Sequence, residues 1–156
     1  MVSRESIVQQ GAVAWFRYQF PSLAQLLVHI PNEGKRTVRW IKGRPVCTGG
    51  ARLKAEGMVK GAADLVLFVP NKYFHGLCLE TKVELFDYST GKEKKTKTYQ
   101  SPEQKEWQAL VESQGYRYEV YRNIDEFRKI VLEYMDVSNE DNAEMIGRSE
   151  LFKLAK

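Results

Sequence analysis

Five consecutive apolar residues, Leu65–Val69, lie between Asp64 and Pro70, and a second apolar stretch begins at Leu77 and closes on the triplet Glu80-Thr81-Lys82. A run that is apolar at every position suits a strand covered on both faces, because a half-exposed strand would alternate polar with apolar side chains. The intervening PNKYFHG supplies the Pro, Asn and Gly of a turn. Leu65–Val69 and Leu77 to about Leu85 therefore read as an antiparallel pair in the middle of a sheet. That middle carries charge. Glu80 and Lys82 are two residues apart and share one face, and an antiparallel register through the turn can set the Asp64 carboxylate beside that of Glu80. Two carboxylates about 4 Å apart repel by roughly 1 kcal/mol in water and about 4 kcal/mol near a protein surface. Something positive has to lie between them.

Caps and periodicity define the flanking elements. Ser3 is placed to cap a first helix running to about Gln19, with Ile7, Val8, Ala12, Trp15 and Phe16 as its apolar face. LAQLLVHI reads as a short strand, followed by a turn at Pro31, Asn32 and Gly34, a basic loop, and a short helix from about Gly49 to Glu56 that Gly57 stops. Residues 86–100 read as a lengthened hairpin or mobile loop with a basic tip. Ser101, Pro102 and Gln104 fit the N-cap, N1 and N3 positions of a helix closed by Gly115. Tyr116–Arg122 is a further strand, and a last helix runs from Ile124 to about Met135, with Ile124, Phe127, Ile130, Val131 and Tyr134 on one face. The expected order is αβαββαβα, an α/β class with a mixed sheet flanked by helices. Residues 1–135 form one domain and 136–156 a polar linker and tail.

Lys and Arg outnumber Asp and Glu by 24 to 20, a small excess that gains meaning from its distribution. Between Lys35 and Lys60 stand eight basic residues and one acid, Glu56. A polyanion is the implied partner, with Lys35, Arg36, Arg52, Lys54 and Lys60 as candidate phosphate contacts. The two cysteines and two histidines show no zinc-ligand spacing. The N-terminal sequence lacks the pattern of a secretory leader and no stretch of eighteen apolar residues occurs, so the expected setting is intracellular, away from membranes and with reduced thiols.

The chemistry that these residues permit is that of a hard divalent cation. Mg²⁺ or Mn²⁺ is commonly held by one or two carboxylates together with waters and substrate phosphates. Near phosphorus such an ion activates water and stabilises developing charge, while a lysine positions the attacking water. The reaction is phosphodiester hydrolysis. The same residues also permit a plainer arrangement, a surface Glu80–Lys82 ion pair with Asp64 as a turn residue.

Three motifs carry a resemblance: Gly-x-x-Lys-Gly-x-x-Asp at Gly57, Lys60, Gly61 and Asp64; Leu-Glu-Thr-Lys at Leu79–Lys82; and Ser-x-x-Gln-x-x-Trp from Ser101. With HIPNEGKR at His29–Arg36 and GARLKAEG at Gly50–Gly57, they resemble the VRR-Nuc nucleases of the PD-(D/E)xK superfamily, in particular the stand-alone phage and bacterial members. The likeness spans roughly Glu5 to Tyr134 and implies a restriction-endonuclease-like fold. It implies Asp64 and Glu80 as metal ligands with the Thr81 carbonyl, Lys82 as the water-positioning residue, Glu5 as an acid reaching the metal shell, and Gln104 near the catalytic centre. Two of these have plainer readings: Gln104 as part of the capping box, and Glu5 as an acid complementing the helix dipole. Ala63 stands where the family usually has proline. The implied function is a Mg²⁺- or Mn²⁺-dependent, structure-selective DNA endonuclease resembling Holliday-junction resolvases. A flap- or end-directed repair nuclease and a non-catalytic DNA-binding module are the alternatives. Symmetric cutting of a junction implies a homodimer.

Overall fold

Residues Leu65–Leu67 and Leu77–Thr81 do pair antiparallel, in the computed structural model that describes residues 3–31, 37–41, 43–48, 50–83, 85–87, 92–94 and 99–136. The elements in chain order are α1 (Arg4–Gln19), a 3₁₀ turn (Pro21–Leu23), β1 (Leu27–His29), β2 (Thr37–Ile41), β3 (Arg44–Thr48), α2 (Gly50–Ala55), β4 (Leu65–Leu67), β5 (Leu77–Thr81), β6 (Leu85–Asp87), β7 (Lys92–Lys94), α3 (Pro102–Ser113), β8 (Arg117–Tyr121) and α4 (124–136). The main sheet has the order β1-β4-β5-β8. Pairing is antiparallel except for β5 with β8, which run parallel in the register Cys78↔Tyr118 to Thr81↔Tyr121. The result is a mixed four-stranded sheet flanked by helices, the α/β class expected.

Strand alternation divides the core into two layers. Leu65, Leu67, Leu77, Leu79 and Tyr121 pack on one face against Ala12 and Phe16 of α1 and Phe127, Val131 and Tyr134 of α4. Ala63, Val66, Cys78 and Tyr118 pack on the other against Trp107 and Val111 of α3. Both layers exclude water, which is why β4 and β5 are buried at every position. The Tyr134 hydroxyl donates to the Val69 carbonyl (2.6 Å), fastening α4 to the β4–β5 turn.

Four expectations need correction. The segment read as a basic loop contains an antiparallel pair, β2–β3, in the register Thr37↔Thr48 to Ile41↔Arg44, with Gly43 at φ +73° just before β3. The short alternation in TVRWI is a weak strand signal beside the dense positive charge around it. The second central strand ends at Thr81 rather than near Leu85, and Leu85–Asp87 pairs instead with Lys92–Lys94, antiparallel and apart from the main sheet. Ile7 is 58% exposed, because on a helix it lies about 180° from the buried Phe16. Ile124, in the first turn of α4, is also partly exposed, whereas Phe127, Val131 and Tyr134 are buried. Lys35, Arg36 and the tail from 137 to 156 lie outside the described residues.

Candidate active site

Extending the β4–β5 register by one residue beyond Leu65↔Leu79 sets Asp64 opposite Glu80. Alternation puts both on the face that α3 covers, together with Val66 and Cys78. The pairing itself stops at Leu79, so the Thr81 N–H, which would otherwise lack a ladder partner, donates to Asp64 Oδ2 (2.9 Å). The Lys82 N–H donates to the Tyr121 carbonyl, so the Thr81 carbonyl of the same trans peptide lies on the β4 side of the strand. Behind the site the Thr81 hydroxyl donates to the Tyr121 hydroxyl (2.7 Å). Asp64 is also fixed through its main chain: its carbonyl accepts from the Ile30 N–H (2.9 Å) and lies 2.9 Å from His29 Nδ1.

Glu80 is only 1% exposed, an uncommon position for an acid. Its Oε1 pairs with Lys82 Nζ at 3.0 Å and accepts from Gln104 Nε2, and its Oε2 faces the Tyr118 hydroxyl at 3.4 Å. Burial, with the Asp64 charge adding to it, pushes Glu80 up to about 7, against the opposing pull of Lys82 and Tyr118. Lys82 itself is 14% exposed, so its ammonium is held beside the acids rather than waving in solvent.

Gln104 makes two contacts at once. Its Oε1 accepts from the Ser101 N–H (2.9 Å), completing the capping box of α3, while its Nε2 reaches Glu80. The amide has both an acceptor and a donor, and each end has its own task. The loop before Asp64 is held against the same helix turn. Gly61 adopts φ +87°, and a Cβ there would meet the Glu103 backbone at 2.5 Å. The Lys60 ammonium pairs with the Glu103 carboxylate, which that contact holds down at about 2. Ala63, buried between Asp64 and this loop, keeps the chain packed where proline was absent.

The remaining candidates are less gathered. Glu5 lies on the stripe of Ala12 and Phe16, seven and eleven residues before them, but is exposed in the first turn of α1. Among the described residues no third His, Cys, Asp or Glu side chain joins Asp64 and Glu80 in a metal-binding group. Arg52 pairs with Glu56 (2.7 Å) and Lys54 is exposed on α2. Sequence reasoning missed Tyr118, Tyr121 and His29. A tyrosine in a strand carries no signal of its own, and His29 reaches Asp64 only through the β1–β4 pairing.

The donor set can be judged for a cation on its own chemistry. Two facing carboxylates and a main-chain carbonyl are hard oxygen donors, too few for a full protein cage. They suit Mg²⁺ or Mn²⁺, which keep several waters and take substrate phosphates, and not structural zinc.

No family model and no curated protein matches the chain. Among solved structures it is similar to a protein described as "VRR_NUC domain protein", with a TM-score of 0.63 and 21% identity over 88% of this chain and 93% of that one. The shared property is the fold, of the VRR-Nuc and restriction-endonuclease-like kind. Among the described residues no helix is long and apolar enough to cross a membrane.

Proposed function

We propose that this protein is a Mg²⁺- or Mn²⁺-dependent, structure-selective DNA endonuclease acting on four-way junctions. The observation that carries the reading is the placement of Asp64, Glu80 and Lys82 on one face at the end of the β4–β5 pair, in a fold shared with a VRR-Nuc domain protein. Asp64, Glu80 and the Thr81 carbonyl would hold the ion, which when bound supplies Lewis acidity and an acidified water. Lys82, anchored on Glu80, orients the attacking water and offsets the charge that builds on the phosphate. Gln104 keeps the Glu80 carboxylate from turning away. Lys54 and Lys60 on the approach to Asp64 contact phosphates without reading bases, so selection rests on DNA shape. Two symmetric cuts need two such sites, and the reading therefore includes a two-fold dimer.

The test is cleavage of a labelled four-way junction beside flap and linear duplex of matched sequence, with Mg²⁺, Mn²⁺ or EDTA, and light scattering of the same preparation. Symmetric metal-dependent cuts in the junction by a dimer are expected. Asp64→Ala and Glu80→Ala each lower cleavage by more than about 100-fold while retaining DNA binding, since loss of a ligand exceeds the usual cost of losing its outer partner. Cutting of flaps or ends alone moves the protein to the repair-type nucleases, and binding without cutting makes it a DNA clamp. Full activity in either variant refutes the site.

A further inference from the structure

Tyr118 is buried on the α3 face of the sheet, among Ala63, Val66 and Cys78. Its ring meets Trp107 of α3 edge-on, with centroids 6.1 Å apart and planes at 64°. A phenylalanine would fill that volume equally well. The hydroxyl is the part that packing does not explain, and a buried tyrosine hydroxyl ordinarily has a partner. Here it has two. It faces Glu80 Oε2 at 3.4 Å, and the Gln100 side chain lies within hydrogen-bonding reach of it. Gln100 is in turn steadied by Gln108 of α3, to which its Nε2 donates (2.8 Å).

The division of contacts on Glu80 gives the hydroxyl a task. Lys82 and Gln104 both engage Oε1. The terminal torsion of a glutamate is broad and two-fold, and donors gathered on Oε1 restrain it from one edge of the carboxylate only. A third contact, on Oε2, restrains it from the opposite edge and tightens the plane. The plane decides which lone pairs face Asp64, and hence the ion that the two acids would share.

We infer that Tyr118 is a positioning residue that orients the Glu80 carboxylate for divalent-cation binding, with Gln100 holding the hydroxyl in place. The inference rests on the metal-site reading above. At 3.4 Å the contact is longer than an optimal O–H···O bond, so the effect of its loss falls at the lower end of what partners of metal ligands show. Tyr118→Phe weakens Mn²⁺ binding by about 3- to 10-fold.

The experiment is calorimetric titration of Mn²⁺ into the full chain without DNA, for wild type, Tyr118→Phe, Gln100→Ala and Asp64→Ala, with the thermal midpoint of each recorded. Tyr118→Phe is expected to bind Mn²⁺ more weakly by that factor with little change in melting, and the Mn²⁺ concentration for half-maximal cleavage rises in step. Gln100→Ala, which leaves the core intact, shifts affinity in the same direction by a smaller factor. A purely structural tyrosine would move melting and leave affinity alone. Unchanged affinity in folded Tyr118→Phe overturns the inference, as does unchanged affinity in Gln100→Ala should the first variant not fold. Wild type that binds no Mn²⁺, like Asp64→Ala, overturns the metal-site reading and the inference with it.

Discussion

Burial and the neighbouring Asp64 charge hold a proton on Glu80 up to about pH 7 when no cation is present. In the unfolded chain the same group titrates near 4.5. The folded state thus binds the proton more tightly, so the stabilisation is complete below about pH 4.5 and is lost as pH rises through 7. Metal-free protein is expected to lose on the order of 3 kcal/mol of stability from this residue across that window. Urea unfolding of wild type against Glu80→Gln measures it: the variant should show a flatter pH dependence between 5 and 8. Addition of Mg²⁺ near neutral pH should recover stability in wild type and not in the variant. Equal slopes in the two proteins would show that Glu80 is not the titrating group.

The first turn of α3 is where secondary structure and site meet. Ser101 caps the helix, Gln104 closes the box and grips Glu80, and the Glu103 backbone lies against Gly61. Separate substitutions can pull these roles apart. Ser101→Ala should cost about 1 kcal/mol of stability and leave cleavage near wild type. Gln104→Glu keeps an acceptor for the Ser101 N–H but sets a carboxylate against Glu80, and cleavage should fall by about tenfold or more. Similar losses of cleavage in both would mean that the cap alone positions the site. The glycines of the preceding loop allow a parallel comparison. Gly57 has φ +98° with open space around it, whereas Gly61 combines φ +87° with a backbone contact. Alanine at Gly57 should cost about 1 kcal/mol and at Gly61 about 3 kcal/mol or more, read from urea unfolding; a reversed order would refute the close docking of the loop on α3.

At the scale of the whole molecule, charge and fold meet on the approach to the site. The net charge is +4, but Arg52 and Lys60 already have acidic partners in Glu56 and Glu103. Exposed pairs of this kind are worth about 0–1 kcal/mol, so a phosphate can replace the carboxylate at little cost. Lys54→Ala combined with Lys60→Ala should weaken DNA binding uniformly across sequences and reduce the slope of log affinity against log salt by about 1 to 2. Binding titrations at several salt concentrations measure this, and an unchanged slope would remove these lysines from the interface.

Much of this protein was legible from local pattern. The all-apolar Leu65–Val69 run, the turn after it, and the two-residue spacing of Glu80 and Lys82 determined the central pair and the face on which its charges meet, because strand alternation is a property of the chain itself. Ser3 and the Ser101–Gln104 box likewise marked their helix starts. The β2–β3 pair had a local signal in Gly43, whose φ of +73° suits glycine, obscured by the charges around it. What the tertiary structure alone decided is the parallel pairing of β5 with β8, which joins segments about 40 residues apart and leaves no trace in either. That pairing carries Tyr118 to Glu80 and Tyr121 to Thr81. It also brings α3 over the site, where the glutamine that caps the helix becomes the one that holds the acid, since a side chain's second partner depends on what the fold packs beside it.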